Sequence, residues 1–186
     1  MRVPSAQDWV EAALTAISEG GLAAVAVEPL AVRLGTTKGS FYWHFRSRDA
    51  LVDAVLAHWE ESNTRQVIAR AEAESEPMAR LRTLFAVVPA ATGGDPVEIA
   101  LMAAAGQPRV AAVLTRVTER RIAYVSRIIE DLGFPPDEAR LRGLLLYNAH
   151  LGKVQLINAV PQVLPTDLEQ QERYRELLLF TVLRRE

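Results

Sequence analysis

The chain has 186 residues, 49% hydrophobic and 24% charged, which suits one large or two small globular domains and excludes a disordered chain. Its formal net charge of −2 excludes nucleic-acid binding through overall basicity, so any such function must rest on local charge. There is no cysteine, which excludes disulfides and thiolate chemistry.

Nearly every segment has a helical period and none alternates as a strand does, so an all-α chain of about nine helices is expected. The first helix should run from about Ser5 to Glu19. Ser5-Ala-Gln-Asp8 reads as a capping box, Trp9, Ala13, Leu14 and Ile17 form the apolar stripe, and Gly20-Gly21 ends it. The second should span about Val27 to Leu34. Pro29 is tolerated in its first turn because early amides have no intrahelical acceptor, and Gly35 stops it. The third is expected from Thr37, as N-cap, to about His44, with Gly39 in its interior at about 1 kcal/mol relative to alanine. The fourth starts after Ser47, with Asp49 placed against its dipole. It carries Leu51, Val52, Val55, Leu56 and Trp59 and continues to about Ala73.

Ser75-Glu-Pro77 opens a fifth helix reaching about Val88, and Gly93-Gly94 breaks the chain. Asp95-Pro-Val-Glu98 starts a short helix, with proline at its first position. Gly106-Gln-Pro108 separates that from a long helix over about Arg109–Leu132. Gly133-Phe-Pro-Pro136 connects to another over about Asp137 to Val160. Pro161 to Pro165 form a loop, and Thr166-Asp-Leu-Glu169 is a capping box for the last helix.

Helices two and three carry the functional signal. The short turn at Gly35-Thr36 forces them to cross steeply, which is helix-turn-helix geometry, with the second helix of the pair entering the DNA major groove. Leu30 with Leu34 and Phe41 with Phe45 repeat at i, i+4 and can close a small core with Leu14 and Ile17. Trp43 falls opposite the phenylalanines on the helical wheel and needs a partner surface. Thr37 and Ser40 can donate to phosphates or base edges, Lys38 can reach guanine acceptors, and Gly39 allows close approach. The first 58 residues are net −1, yet from Pro29 to Arg48 there are four cations and no carboxylate.

The ordered set Gly20-Gly-Leu, Leu30-Ala, Leu34-Gly35, Lys38-Gly-Ser-Phe-Tyr-Trp-His-Phe45 and Asp49-Ala-Leu51 resembles the DNA-binding domain of the TetR family of bacterial transcriptional regulators, over roughly residues 5–58. The resemblance implies that Thr37, Lys38, Gly39, Ser40 and Trp43 face the groove. It implies that Tyr42, His44 and Arg48 contact phosphates, and that Leu30, Leu34, Phe41 and Phe45 are core. One departure is the N-cap of helix two, often Ser or Thr in similar sequences and Ala26 here, which loses about 1 kcal/mol of capping and a phosphate contact.

The resemblance further implies two domains, a DNA-binding domain over 1–47 and a helical effector-binding and dimerisation domain over 48–186. The long helix places Leu114, Val117, Tyr124 and Ile128 along one side, and the next places Leu141, Leu144, Leu145, Asn148, Leu151 and Gln155 at helical spacing. Such walls with occasional polar groups read equally as a pocket or as the edge between core and solvent. The expected pocket residues are Trp59, Met102, Arg121, Tyr124, Tyr147 and Asn148. Leu144, Leu151, Leu177, Leu178, Phe180 and Val182 are the expected contacts of an isologous four-helix homodimer interface.

Catalysis is not expected. His44, His58 and His150 lack metal-ligand spacing, and there is no nucleophile motif or phosphate loop, so no metal or cofactor is assigned. No basic-then-apolar signal segment and no apolar run of about 18–20 residues occurs, so a soluble cytoplasmic protein without a membrane partner is expected. The expected function is a ligand-responsive repressor that binds a palindromic operator in double-stranded DNA as a dimer and is released by a small-molecule effector. The alternatives are a helix-turn-helix regulator without such an effector, or a helical-bundle enzyme or adaptor.

Overall fold

The structure is a computed structural model that describes residues 3–86 and 95–185. In chain order these form α1 (Ala6–Gly20), α2 (Val27–Arg33), α3 (Lys38–Tyr42), α4 (Arg48–Glu60), α5 (Gln66–Glu72), α6 (Pro77–Ala86), α7 (Pro96–Ala103), α8 (Pro108–Asp131), α9 (Pro136–Ala159) and α10 (Leu168–Leu183), with no strand among the described residues. A π-helical turn, Glu61–Arg65, joins α4 to α5 without a break. Counted as one helix, that run gives nine among the described residues, the number expected. The expected helix end near Val88 and the break at Gly93-Gly94 lie outside the described residues.

Two compact units are present, Met1–Asn63 with Pro96–Thr115, and Thr64–Asp95 with Arg116–Glu186. In the first, the capping box at Ser5 forms as expected. Ser5 Oγ accepts from the Asp8 amide at 3.3 Å, and the Asp8 carboxylate accepts from the Ser5 amide at 2.6 Å. The stripe below it is buried at Trp9, Ala13 and Ile17 and packs with Leu30, Phe41, Leu51 and Val55. α2 ends in a Schellman turn. Gly35 adopts φ +61°, its N–H bonds the Val32 carbonyl at 3.0 Å, and the Thr36 N–H bonds the Ala31 carbonyl at 2.9 Å. α3 is shorter than expected, five residues in place of a helix reaching His44. Gly39 is therefore in its first turn and not in a helix interior.

In the second unit, α8 ends in the same way. Gly133 has φ +90°, its N–H reaches the Glu130 carbonyl at 2.7 Å and the Phe134 N–H reaches that of Ile129 at 3.4 Å. The turn presents Phe134 between two guanidinium groups, Arg142 at 4.4 Å and Arg185 at 5.1 Å from the ring centre. Arg142 also bonds the carbonyls of Val182 and Arg184, and Arg185 that of Leu132, which ties the end of α10 to the α8–α9 turn. The core around it includes Ala71, Leu81, Ile128, Ile129, Leu146 and Leu179.

Two expectations for this unit need correction. The cap of α10 is Asp167, whose Oδ1 accepts from the Gln170 amide at 2.7 Å, and not Thr166. On α9, Leu141, Leu144, Leu145, Asn148 and Gln155 are exposed, while Ala139, Gly143, Leu146, Tyr147 and Val154 face inward. Leucines populate more than one face of this helix, so its spacing alone does not choose the buried side.

Gly143 marks where α9 approaches α8. A Cβ there would stand 2.6 Å from Ser126 Oγ and 3.3 Å from the Ser126 backbone nitrogen, whereas one at Gly152 would meet nothing within 4 Å. Gly143→Ala is expected to lower stability by about 1–3 kcal/mol through overpacking. Gly152→Ala should leave it unchanged or raise it by up to about 1 kcal/mol. Urea denaturation followed by circular dichroism distinguishes them, and equal effects at both sites would contradict the packing.

Candidate nucleic-acid interface

A five-residue helix has too few internal hydrogen bonds to persist alone, so α3 must be held by what it packs against. Phe41, fully buried, meets the equally buried Trp9 edge to face at 5.2 Å and stacks with Phe45 at 5.7 Å. With those rings inward, Tyr42 and Trp43 point outward, 55% and 89% exposed. Thr37, Lys38, Gly39 and His44 are also exposed and Ser40 is half-buried, so the expected reading residues do come together on one short element and its ends.

The fold does not require the small size of Gly39. Its φ is not positive, and an added Cβ would meet only Thr37 Oγ1, at an ordinary 3.5 Å. Thr37 stands at the N-cap as expected but makes no side-chain cap bond. Ala26 is the N-cap of α2 and likewise supplies none.

The local positive charge is largely answered from nearby. Arg33 is paired with Glu19, and Lys38 Nζ lies 2.8 Å from Glu28 Oε1. The bond to Lys38 holds the Glu28 carboxyl below its ordinary range and Glu28 holds the Lys38 ammonium above its own. Arg33 and Glu19 affect each other in the same directions. Both carboxylates precede the stretch Pro29–Arg48, which has none of its own, Glu28 by one residue and Glu19 by ten.

Two of the expected phosphate contacts are engaged within the module. Arg48 Nε donates to the Val25 carbonyl at 2.6 Å and its Nη2 to that of Leu22 at 2.9 Å. One planar guanidinium thus fastens the start of α4 to the turn before α2. His44 Nε2 donates to the Pro4 carbonyl at 2.9 Å. Arg109, in the first turn of α8, was not singled out from sequence. It bonds the Asp49 carbonyl at 2.7 Å and pairs with Asp49 at 3.2 Å and Asp53 at 3.1 Å. A contact across 60 residues leaves no local pattern by which to find it.

The expected pocket residues do not form one group. Trp59, 2% exposed, is a core side chain of the first unit, and Met102 and Asn148 are exposed. In the second unit Arg121 Nε donates to Thr64 Oγ1 at 3.1 Å, and the Tyr147 hydroxyl bonds that of Thr118 at 3.0 Å. The buried Tyr124 hydroxyl has no hydrogen-bond partner among the described residues, and burial raises its pKa.

The arrangement defines an all-helical chain whose N-terminal module is a helix-turn-helix with an exposed second helix. The family model for bacterial regulatory proteins of the tetR family matches residues 10–55. The HTH-type transcriptional regulator TtgR of Pseudomonas putida is 35% identical over 79 residues, 41% of this chain and 37% of TtgR. The chain thus spans under two fifths of the length of the curated relatives it matches. A transcriptional regulator of Rhodococcus sp. Rha1 has the same fold, with TM-score 0.80 and 20% identity over 97% of this chain and 96% of that one. So does AibR, solved in complex with isovaleryl coenzyme A and operator DNA, with TM-score 0.67 and 18% identity over 92% of this chain and 96% of that one. Over residues 10–55 the N-terminal module is thus similar to the tetR family of bacterial regulatory proteins, and the whole chain shares the fold of the solved regulators.

Arg48→Lys is expected to destabilise the module by about 1–2 kcal/mol, since an ammonium cannot hold both carbonyls in the plane that a guanidinium does. Hydrogen exchange at the Ala24 and Val25 amides, which close the turn on Gly21 and Leu22, should accelerate. Unchanged exchange there would assign Arg48 to solvent.

Proposed function

We propose that the chain is a cytoplasmic DNA-binding transcriptional repressor that acts as a homodimer and is released by a small molecule. The observation that carries this reading is Trp43, 89% exposed beside Lys38, Gly39 and Ser40 on a helix whose other side is locked into the core. An indole left in water beside a lysine and a glycine that the fold does not need fits a surface completed by DNA. Thr37, Lys38, Gly39, Ser40 and Trp43 read the groove, and Tyr42 and His44 meet phosphates. Arg48 acts mainly by positioning α4. The functional division falls at residues 1–47 for reading and 48–186 for effector and partner.

One recognition helix reads few base pairs, so pairing over a palindrome supplies affinity and register. Leu144, Leu145, Leu177 and Phe180 leave an exposed apolar surface on α9 and α10 suited to a second copy, whereas Val182 and Leu178 pack into the core. The candidate effector contacts within the second unit are Arg121, Tyr124 and Tyr147, and the buried Tyr124 hydroxyl, without a hydrogen-bond partner among the described residues, offers a donor to a ligand. That AibR holds both an acyl coenzyme A and operator DNA supports such a double occupancy for this fold. To switch, the ligand must bind the DNA-competent and released states with different affinity.

A duplex selected from a random library, compared with random duplex by gel shift, tests the reading. Trp43→Ala and Lys38→Ala should each cost about tenfold or more on the selected duplex and much less on random DNA. Equal loss on both would remove them from base recognition. Leu177→Glu with Phe180→Glu should give a monomer in sedimentation at micromolar concentration, with its helical content intact and binding to the selected duplex lost. A variant that remains dimeric would move the interface elsewhere.

A further inference from the structure

The reading helix carries a carboxylate on its own lysine. Glu28, in the first turn of α2, and Lys38, the first residue of α3, are 2.8 Å apart with side chains 73% and 53% exposed, so both are within reach of whatever α3 meets. The pair is not an isolated accident of charge. Arg33 is likewise neutralised by Glu19, and Arg48 is drawn onto two backbone carbonyls. Of the four cations between Pro29 and Arg48, Arg46 has no ion pair among the described residues. A helix built to hold DNA by phosphate attraction would leave its lysine free.

We propose that Glu28 is a specificity-determining residue, one that converts Lys38 from a phosphate-seeking point charge into an oriented donor for a base edge; this rests on the DNA-binding reading above. An ammonium has three donors and no fixed direction. With one donor held by Glu28, the other two point in set directions, matching the two acceptors that guanine presents, O6 and N7. The same carboxylate cancels the lysine's charge as seen by a phosphate and adds its own repulsion toward the backbone. Random DNA offers Lys38 only that phosphate contact, so Glu28 weakens it most where sequence is wrong. Specificity then comes from a penalty on all DNA that only the matching base edge offsets.

The test compares wild type, Glu28→Gln and Glu19→Gln by fluorescence anisotropy, on random duplex and on the duplex selected by wild type, across a salt series. Glu19→Gln removes the same charge from the same module but at the Arg33 pair. Glu28→Gln should bind random duplex about three- to tenfold tighter, with a salt slope steeper by about 0.9, the signature of one further phosphate neutralised. Its affinity for the selected duplex should change less, so the ratio of selected to random binding falls. With Lys38→Ala in the background, Glu28→Gln should lose most of this effect. An unchanged slope, an equal gain on both duplexes, or an equal effect of Glu19→Gln would overturn the assignment while leaving DNA binding intact. Failure of wild type to bind or select any duplex at low salt would sink the DNA-binding reading and this proposal with it.

Discussion

The placement of α3 depends on one contact, the edge-to-face packing of Phe41 on Trp9. α3 has five residues, too few to be stable by its own hydrogen bonds. Its orientation therefore comes from a single fully buried ring seated against α1, backed by Phe45 and, through the Schellman turn at Gly35, by α2. Burying such a ring contributes about 1.5–3 kcal/mol, and the aromatic pairing about 0.5–1.5 kcal/mol more. Once that ring is fixed, the adjoining Tyr42 and Trp43 have no inward direction left. The exposure of Tyr42 and Trp43 is thus a consequence of the core and not a separate feature.

The electrostatics of that surface follow the same logic of short reach. α2 and α3 cross closely enough for a first-turn carboxylate on one to meet the first residue of the other. α1 ends near enough for Glu19 to hold Arg33. The module presents hydroxyls, an indole and a paired lysine in place of a field of open cations. Its overall charge near zero and its exposed ion pairs agree, and both leave little net positive field on this face.

What was legible in the sequence was what is local in space. The capping box at Ser5, the stops at Gly35 and Gly133 and the i, i+4 aromatic pair each declare themselves within a few residues, and the structure bears them out. Positions read through helical spacing alone fared unevenly. Val117, Tyr124 and Ile128 are buried as their stripe implies, but α9 bears leucines on several faces, and Leu146, not Leu144 or Leu145, is the core one. Contacts that span 10 to 60 residues were invisible. Lys38 with Glu28, Arg48 with Val25 and Leu22, and Arg109 with Asp49 depend on how helices cross, which no periodicity encodes. The π turn at Glu61–Arg65 was hidden for a different reason, since one surplus residue leaves the apolar pattern on either side intact.

The return of residues 96–115 to the first unit changes what counts as a separable piece of this protein. α7 packs on α1, and Arg109 grips Asp49 and Asp53 at the head of α4. A fragment that stops after α4 keeps all of α3 yet uncovers one side of α1, leaves Asp53 without its cation and leaves Asp49 with Arg48 alone. The first unit is compact in space but discontinuous in chain. A transplant of the helix-turn-helix into another chain must therefore bring a matching α7 and the start of α8, or accept a loosened α1 and α4.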